Sequence, residues 1–109
     1  MQKLEPRFFA LSDRAILPTL AYAGDAGLDL RTPAPLSLPA GQRAFCDFEL
    51  RVEVAAGFVG LLMPRSGLAR RVGVTLLNVG VIDSGYAGSL GVTLFNSSEQ
   101  DFQAQAGDA

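Results

Sequence analysis

Glycine and proline interrupt this chain so often that no long regular element fits between them. The 109 residues include 12 glycines and 6 prolines, and the stretches between these residues are short and largely apolar. Both residues disturb helix interiors, whereas short strands joined by tight turns accommodate them. The spacing therefore predicts an all-β fold of jelly-roll or barrel type. One short helical turn is expected over residues 68–71, with Ser66 as its N-cap.

Alternation of apolar and polar residues marks the clearest strand, residues 48–54. A period of two puts Phe48 and every second residue up to Val54 on one face, with charged residues on the other. A second strand, expected to be more fully buried, follows at residues 58–63. We expect further strands at residues 8–11, 28–31, 42–46, 74–77 and 90–95, all within a single domain over residues 1–109.

The composition excludes several classes of function. Apolar residues make up 49% of the chain and charged residues 18%, which is typical of a globular domain rather than a disordered segment. The net charge of −2, without a run of Lys or Arg, predicts no nucleic-acid partner. The first residues do not resemble a signal peptide, and no apolar run approaches about 18 residues, so we expect no membrane segment and a cytoplasmic location.

The choice of catalytic side chains is also narrow, because the chain has no histidine and a single cysteine, Cys46. Ser-His-Asp and Cys-His catalysis, histidine-ligated zinc and an intramolecular disulfide are therefore excluded. Any chemistry must use Asp, Glu, Ser, Tyr, Lys or Arg, with an oxygen-ligated metal as the available cofactor.

Three segments carry polar residues that a plain β domain does not need. The first, residues 23–30, holds Asp25 and Asp29 among small residues. The second is Pro-Arg-Ser-Gly-Leu-Ala at residues 64–69, where a guanidinium, a hydroxyl and exposed amides could bind phosphate. The third, residues 80–88, places Asp83 after an apolar pair and Tyr86 in a glycine-rich hairpin. Taken singly, each segment also fits a structural role as a turn cap, an ion pair or a hairpin.

In combination and in this order, the three segments resemble the first three motifs of the trimeric dUTPase family. The connecting pieces at residues 17–19 and 38–43 agree, and the resemblance covers roughly residues 17–108. It implies a dUTPase-like distorted jelly-roll or β-barrel and a homotrimer. It also implies a dUTP diphosphatase, which hydrolyses dUTP to dUMP and pyrophosphate by Mg²⁺-assisted attack of water on the α-phosphate.

The resemblance implies a role for each motif residue. Asp83 corresponds to the base that deprotonates the attacking water, and Tyr86 to the aromatic that packs under the deoxyribose. Asp29 corresponds to the carboxylate that reaches Mg²⁺ through coordinated water, not as a direct ligand. The remaining substrate contacts are Arg65, Ser66 and Gly67 at the phosphates, and Asn78, Gly80, Val81 and Ile82 at the uracil.

The sequence departs from the family pattern at several positions. Only Val79 separates Asn78 from Gly80, one residue fewer than usual, which leaves the uracil contact of Asn78 open. Residues 46–49 differ from the Pro-Thr-Gly that the family usually shows before the strand, and Ser89 replaces a common acid in a position that we interpret as peripheral. Residues 102–108 resemble the approach to the fourth motif, the chain ends at Ala109, and the fifth motif is absent. We therefore expect the 109 residues alone to bind and hydrolyse dUTP weakly.

Two alternatives stay open. The first is a dCTP deaminase-like enzyme of the same fold, although that chemistry needs a catalytic Glu and none lies between Glu53 and Glu99. The second is a non-catalytic, regulatory nucleotide-binding homologue. Ammonia release from dCTP identifies the first, and binding of a dUTP analogue without turnover identifies the second.

Overall fold

Short strands and one short helix make up the described chain. The structure, a computed structural model, describes residues 6–77 and 79–109, so Asn78 lies outside it. None of the described residues forms a helix long and apolar enough to cross a membrane. The helix, Leu68–Val72, is of the π type. The strands are β1 Arg7–Ala10, β2 Leu36–Leu38, β3 Arg43–Asp47, β4 Leu50–Glu53, β5 Gly60–Leu62, β6 Val74–Leu76, β7 Gly80–Ile82, β8 Gly91–Asn96 and β9 Phe102–Ala104.

The strands pair antiparallel in small sheets, and the all-β prediction is confirmed. The largest sheet has the order β3-β8-β6, and β8 lies at its centre. The pairs β1-β4, β2-β9 and β5-β7 form two-stranded sheets. Side chains from β3, β4, β7 and β8 meet in one core cluster that includes Leu50 and Ile82. Leu38, Leu50 and Val74 are completely buried.

The strands were predicted correctly where the stretch of alternating apolar and polar residues, or the apolar run, was long enough to recognise. Strands β1, β3, β4, β6 and β8 fall within or close to predicted ranges. The predicted strand at residues 28–31 was wrong, because only a single bridge between Thr19 and Asp29 forms there. Strands β2, β7 and β9 were not predicted, since three residues are too few to establish a period of two.

The predicted burial of residues 58–63 was also wrong. The strand β5 covers only Gly60–Leu62, and its outer side remains exposed: Leu61 is 57% accessible and Met63 is 62% accessible. Successive side chains of a strand point to opposite faces of its sheet, so alternate side chains of β5 point away from the core. The chain therefore carries an apolar face formed by Val59, Leu61, Met63 and Val81, which we call the outer apolar face.

A left-handed residue interrupts the strand predicted at 48–54. Glu49 has φ of 57°, and β4 begins only at Leu50. For a residue with a Cβ this conformation costs about 1–2 kcal/mol. Local contacts offset the cost: the Glu49 N–H donates to Asp47 Oδ1 at 2.8 Å, and Arg14 Nε donates to the Glu49 carboxylate at 2.8 and 3.0 Å. The prediction that every second residue from Phe48 lies on the buried face is confirmed for Phe48, Leu50 and Val52, which are all buried.

Asn96, at the end of β8, is a fully buried polar residue. Its amide Nδ2 donates to the carbonyl of Leu38 at 3.0 Å and to that of Gln100 at 2.8 Å. Its Oδ1 accepts from the Ser98 N–H at 3.0 Å and the Ser98 hydroxyl at 2.7 Å. The side chain therefore satisfies its hydrogen-bonding groups while joining β8 to β2 and to the following turn.

Candidate functional site

The Arg65-Ser66-Gly67 segment lies between β5 and the helix. Helical backbone already begins at Ser66, and the Leu68 N–H donates to the Arg65 carbonyl at 3.1 Å. The cap position falls on Gly67, without a side-chain cap, so the prediction of Ser66 as N-cap was wrong. A capping serine needs extended backbone, whereas Ser66 is helical. Arg65 and Ser66 are exposed, which leaves the guanidinium and the hydroxyl available to a ligand.

A cationic cavity of about 700 Å³ adjoins the helix. Arg65, Arg70 and Arg71 line it together with Ser66, and none of the described side chains around it is acidic. Arginine forks and a hydroxyl in one concave site suit an anion, because guanidinium groups bind phosphate oxygens with paired, charge-assisted hydrogen bonds. This cavity can therefore hold a phosphate group.

The two carboxylates of the first motif differ in their surroundings. Asp25 Oδ2 accepts from the Tyr22 N–H at 3.0 Å, so Asp25 caps a turn. Asp29 is half-buried, and its N–H donates to the Thr19 carbonyl at 2.8 Å. A larger, mainly apolar cavity of about 1090 Å³ is lined by both Asp29 and Arg65. The structure thus brings the first two motifs to a common cavity.

The metal-ligand chemistry of this region fits Mg²⁺. Within residues 6–77 and 79–109, no three Asp, Glu, Cys or His side chains cluster as ligands for an ion. A dedicated protein cage is not what Mg²⁺ requires, since it keeps several waters and takes substrate phosphates with one or two carboxylates. A lone half-buried carboxylate such as Asp29, in the cavity that Arg65 also lines, is compatible with that arrangement.

Asp83 and Tyr86 lie in one turn at the end of β7. The Tyr86 N–H donates to the Asp83 carbonyl at 3.0 Å, which closes the turn. The Asp83 side chain is exposed, so it can accept a proton from a nearby water. Tyr86 is 46% accessible, and its hydroxyl donates to the Ser89 carbonyl at 2.8 Å. An exposed carboxylate and an aromatic ring with a hydrogen-bonded hydroxyl therefore lie three residues apart in the chain.

The strand before this turn can offer backbone rather than side chains. Ile82 is 6% accessible and belongs to the core, whereas Val81 points outward. Gly80 packs so closely on Leu62 that an added Cβ would lie 2.9 Å from the Leu62 Cβ. Among the described residues β7 pairs only with β5, so its second edge keeps free N–H and C=O groups.

One chain does not gather all predicted site residues in one cavity. Asp29, Arg65 and Ile82 line the larger cavity, and Arg65, Ser66 and Gly67 line the cationic one. Neither Asp83 nor Tyr86 lines either cavity, and Asn78 lies outside the described residues. In a single chain, Asp83 and Tyr86 therefore lie outside the cavities that the other two motifs line.

Sequence analysis missed two residues at the Tyr86 turn. Ser89, which we interpreted as peripheral, accepts the Tyr86 hydroxyl through its carbonyl and donates its own hydroxyl to Asp47. Both Asp47 and Ser89 depart from the family pattern, and that shared departure was the available signal. The contact between Asp47 and Ser89 could not be predicted without the fold, because 42 residues separate them.

Comparison with known proteins gives a consistent picture. The sequence profile described as dUTPase matches residues 13–109. A deoxyuridine 5'-triphosphate nucleotidohydrolase of Mycobacterium marinum is 49% identical over 81 residues, which make up 73% of this chain and 53% of the relative. The mitochondrial form from Dictyostelium discoideum is 42% identical over 98 residues, 90% of this chain and 54% of the relative. The chain thus spans about half the length of these curated relatives.

Solved structures agree with the sequence comparison. A mutant dUTPase from phage phi11 of S. aureus, whose study describes the coordination of a structural Mg(II) ion, superposes with a TM-score of 0.80. It is 29% identical, and the match covers 87% of this chain and 61% of that one. A mutant Staphylococcus bacteriophage 80alpha dUTPase with dUpNHpp has a TM-score of 0.82 at 30% identity, covering 89% and 57%. Since the family profile matches nearly the whole chain and these folds agree, this chain belongs to the dUTPase family.

Proposed function

We propose that this chain acts as a dUTP diphosphatase, which hydrolyses dUTP to dUMP and pyrophosphate. The observation that carries the proposal is the turn at the end of β7, where the exposed Asp83 carboxylate and the oriented Tyr86 ring adjoin a free strand edge. Recognition and hydrolysis of a nucleotide require a general base, a surface that packs against the sugar and hydrogen-bonding groups for the nucleobase. Asp83, the Tyr86 ring and the free edge of β7 supply these in turn. The cationic cavity at the helix adds a binding site for phosphate groups.

In this reaction Asp83 accepts a proton from water as the water oxygen forms a bond to the α-phosphorus. The bond from the α-phosphorus to the oxygen bridging it to the β-phosphorus breaks, and pyrophosphate leaves. Arg65 and the Ser66 hydroxyl neutralise and orient phosphate oxygens, which is the main need in phosphoryl transfer. When bound, Mg²⁺ neutralises triphosphate charge, and Asp29 would hold it through coordinated water.

Base and sugar selection follow from the same turn. The free edge of β7, through the backbone of Gly80, Val81 and Ile82, pairs with the uracil edge. Cytosine has an acceptor at N3 and a donor at its C4 amino group, the reverse of uracil at both positions, so its binding would leave polar groups unpaired. The Tyr86 ring packs under the deoxyribose and leaves no room for a 2′-hydroxyl. An additional contact from Asn78 to uracil stays a prediction.

We further propose that the working unit is a homotrimer with its nucleotide sites between subunits. Two observations support it: Asp83 and Tyr86 line neither of the cavities that Asp29 and Arg65 line in the same chain, and the outer apolar face is exposed. A second copy that covers this face would remove apolar area from water, at about 25 cal/mol per Å². It could also bring Asp83 and Tyr86 of one chain to Asp29 and Arg65 of the next. We expect this protein in the cytoplasm, while one relative is named as a mitochondrial form.

Pyrophosphate release with Mg²⁺ present tests the proposed activity. We expect release from dUTP, much slower release from dCTP, dTTP and UTP, and loss of activity when EDTA removes the metal. Ammonia release from dCTP would instead identify a deaminase. Tight binding of a non-hydrolysable dUTP analogue without turnover of dUTP would identify a regulatory homologue. Sedimentation velocity of the same sample would test the trimer, and a monomer at all concentrations would contradict it.

A further inference from the structure

A chain of hydrogen bonds connects the Tyr86 ring to a carboxylate on another strand. The Tyr86 hydroxyl donates to the Ser89 carbonyl at 2.8 Å, and the Ser89 hydroxyl donates to Asp47 Oδ1 at 2.5 Å. The same oxygen of Asp47 accepts the Glu49 N–H at 2.8 Å. We propose that Asp47 and Ser89 are positioning residues that hold the Tyr86 ring in place and so set the preference for deoxyribose over ribose. This inference rests on the proposed function.

The position of Ser89 in the fold explains why its side chain matters. Asp47 ends β3, and the strand pairing places it opposite Gly91, the first residue of β8. Leu90 is already anchored, since its N–H donates to the Leu50 carbonyl at 2.7 Å. The Phe48 N–H also donates to the Leu90 carbonyl at 2.9 Å. The Ser89 hydroxyl adds a side-chain contact to these backbone bonds, and it joins the end of the turn to the last residue of β3.

The ring itself has few other constraints. Nearly half of the Tyr86 residue surface is accessible, and one side of the ring rests against Gly88. Its hydroxyl has a single hydrogen-bond partner within the described residues, the Ser89 carbonyl. A shift of that carbonyl therefore moves the hydroxyl and tilts the ring.

The energy scale suits a specificity role. A hydroxyl that donates to a carboxylate makes a charge-assisted bond, stronger than one between neutral groups. The 2′-hydroxyl is excluded by steric contact with the Tyr86 ring. A displacement of the ring by about 1 Å is enough to change such a contact substantially. Loss of the Ser89–Asp47 bond should therefore relax sugar selection while base recognition at β7 persists.

The variants Ser89→Ala and Ser89→Thr test the proposal in the full chain, with Ser37→Ala as a matched control. Ser37 is an exposed serine on β2, away from this chain of bonds. The dUMP and UMP affinities are measured by calorimetry, and unfolding in urea confirms that each variant folds. We expect Ser89→Ala to reduce the dUMP-to-UMP preference by about fivefold or more. Ser89→Thr, which keeps the hydroxyl, should retain most of the preference, and Ser37→Ala all of it.

A ligand-free readout separates this inference from the proposed function. The chain has two tyrosines, so ring resonances in protein labelled at tyrosine report Tyr86, with Tyr22 as an internal reference. We expect Ser89→Ala to shift or broaden the Tyr86 signals and to leave those of Tyr22 unchanged. An unchanged Tyr86 spectrum, or an unchanged dUMP preference in Ser89→Ala, would overturn the positioning role. Equal binding of dUMP and UMP by the wild type would count against the proposed function and would overturn the specificity role, even if the Tyr86 signals shift.

Discussion

Gly88 lies against the phenol of Tyr86, so close that a Cβ at residue 88 would stand 2.6 Å from Tyr86 Oη. Gly85, in the same turn, has open space where its Cβ would be. We therefore expect Gly88→Ala to displace the ring and to raise the UTP-to-dUTP ratio of kcat/KM, while Gly85→Ala leaves the ratio unchanged. Tyr86→Ala should give the full effect, because it removes the ring. Equal ratios in Gly88→Ala and Gly85→Ala would mean that the ring does not select the sugar.

Asp83→Asn should separate binding from chemistry. The amide keeps the size of the side chain but cannot take a proton, so kcat should fall by about 10² or more. Affinity for dUMP should change little, as calorimetry can verify. Asp13→Asn, which removes one exposed charge elsewhere, serves as the control. Turnover near that of the wild type in Asp83→Asn would remove Asp83 from the role of base.

Arg65 is expected to serve both the bound substrate and the transition state, since it lines both cavities. Arg65→Ala should raise KM and lower kcat, with a combined loss in kcat/KM of about tenfold or more, because hydrogen bonds to charged groups are worth about 1.5–3 kcal/mol. Arg65→Lys keeps the positive charge but lacks the planar guanidinium that makes paired hydrogen bonds. Its kcat/KM should therefore lie between those of Arg65→Ala and the wild type. A wild-type kcat/KM in Arg65→Lys would show that the positive charge at residue 65 is sufficient and that the shape of the guanidinium is not needed.

Glu49 offers a test of stored backbone strain. Glycine adopts φ near 57° without the steric cost, so Glu49→Gly should remove about 1–2 kcal/mol of strain. It also removes the ion pair with Arg14, worth about 0.2–1 kcal/mol at an exposed site. In an Arg14→Ala background we therefore expect Glu49→Gly to raise the free energy of unfolding in urea by about 1 kcal/mol. Destabilisation in both backgrounds would contradict a strain cost at Glu49.

Cys46 should make stability fall at alkaline pH. Burial raises the pKa of its thiol; the nearby Thr32 hydroxyl opposes this and the Asp47 charge adds to it. The folded protein therefore keeps the proton over a pH range in which the unfolded chain, with a thiol pKa of about 8.5, has lost it. The stabilisation is complete below that pH and disappears as the pH rises through the folded pKa. Urea titrations from pH 7 to 10 should show this loss, and Cys46→Ala should show less of it.

How far the sequence predicts this fold depends on element length. The alternation from Phe48 to Val54 gave the right buried face, because packing follows side-chain periodicity even where the backbone breaks. The break at Glu49 was not predictable from propensity, since the left-handed conformation depends on contacts with Asp47 and Arg14. Three-residue strands such as β2 and β9 have no periodicity of their own and form only with their partners.

Motif order proposes Asp83, Tyr86 and Arg65 as site residues, because their chemistry depends on residue type, and these assignments stay predictions. Their spatial arrangement could not be predicted from the sequence. The contact between Asp47 and Ser89 depends on the pairing of β3 with β8, which only the fold supplies. The exposure of Leu61 likewise depends on whether another part of the protein packs on its face of the sheet, and no local pattern encodes that.

The pairing of β2 with β9 also affects how the protein is made. Leu38 pairs with Phe102, so the first partner of this sheet leaves the ribosome long before the second. At about 5–20 residues per second, the intervening segment takes several seconds to synthesise. During that time Leu38, completely buried in the folded protein, has no partner strand. Folding of the nascent chain is therefore completed late, and chaperone contact with the region around β2 should be greatest just before Phe102 emerges.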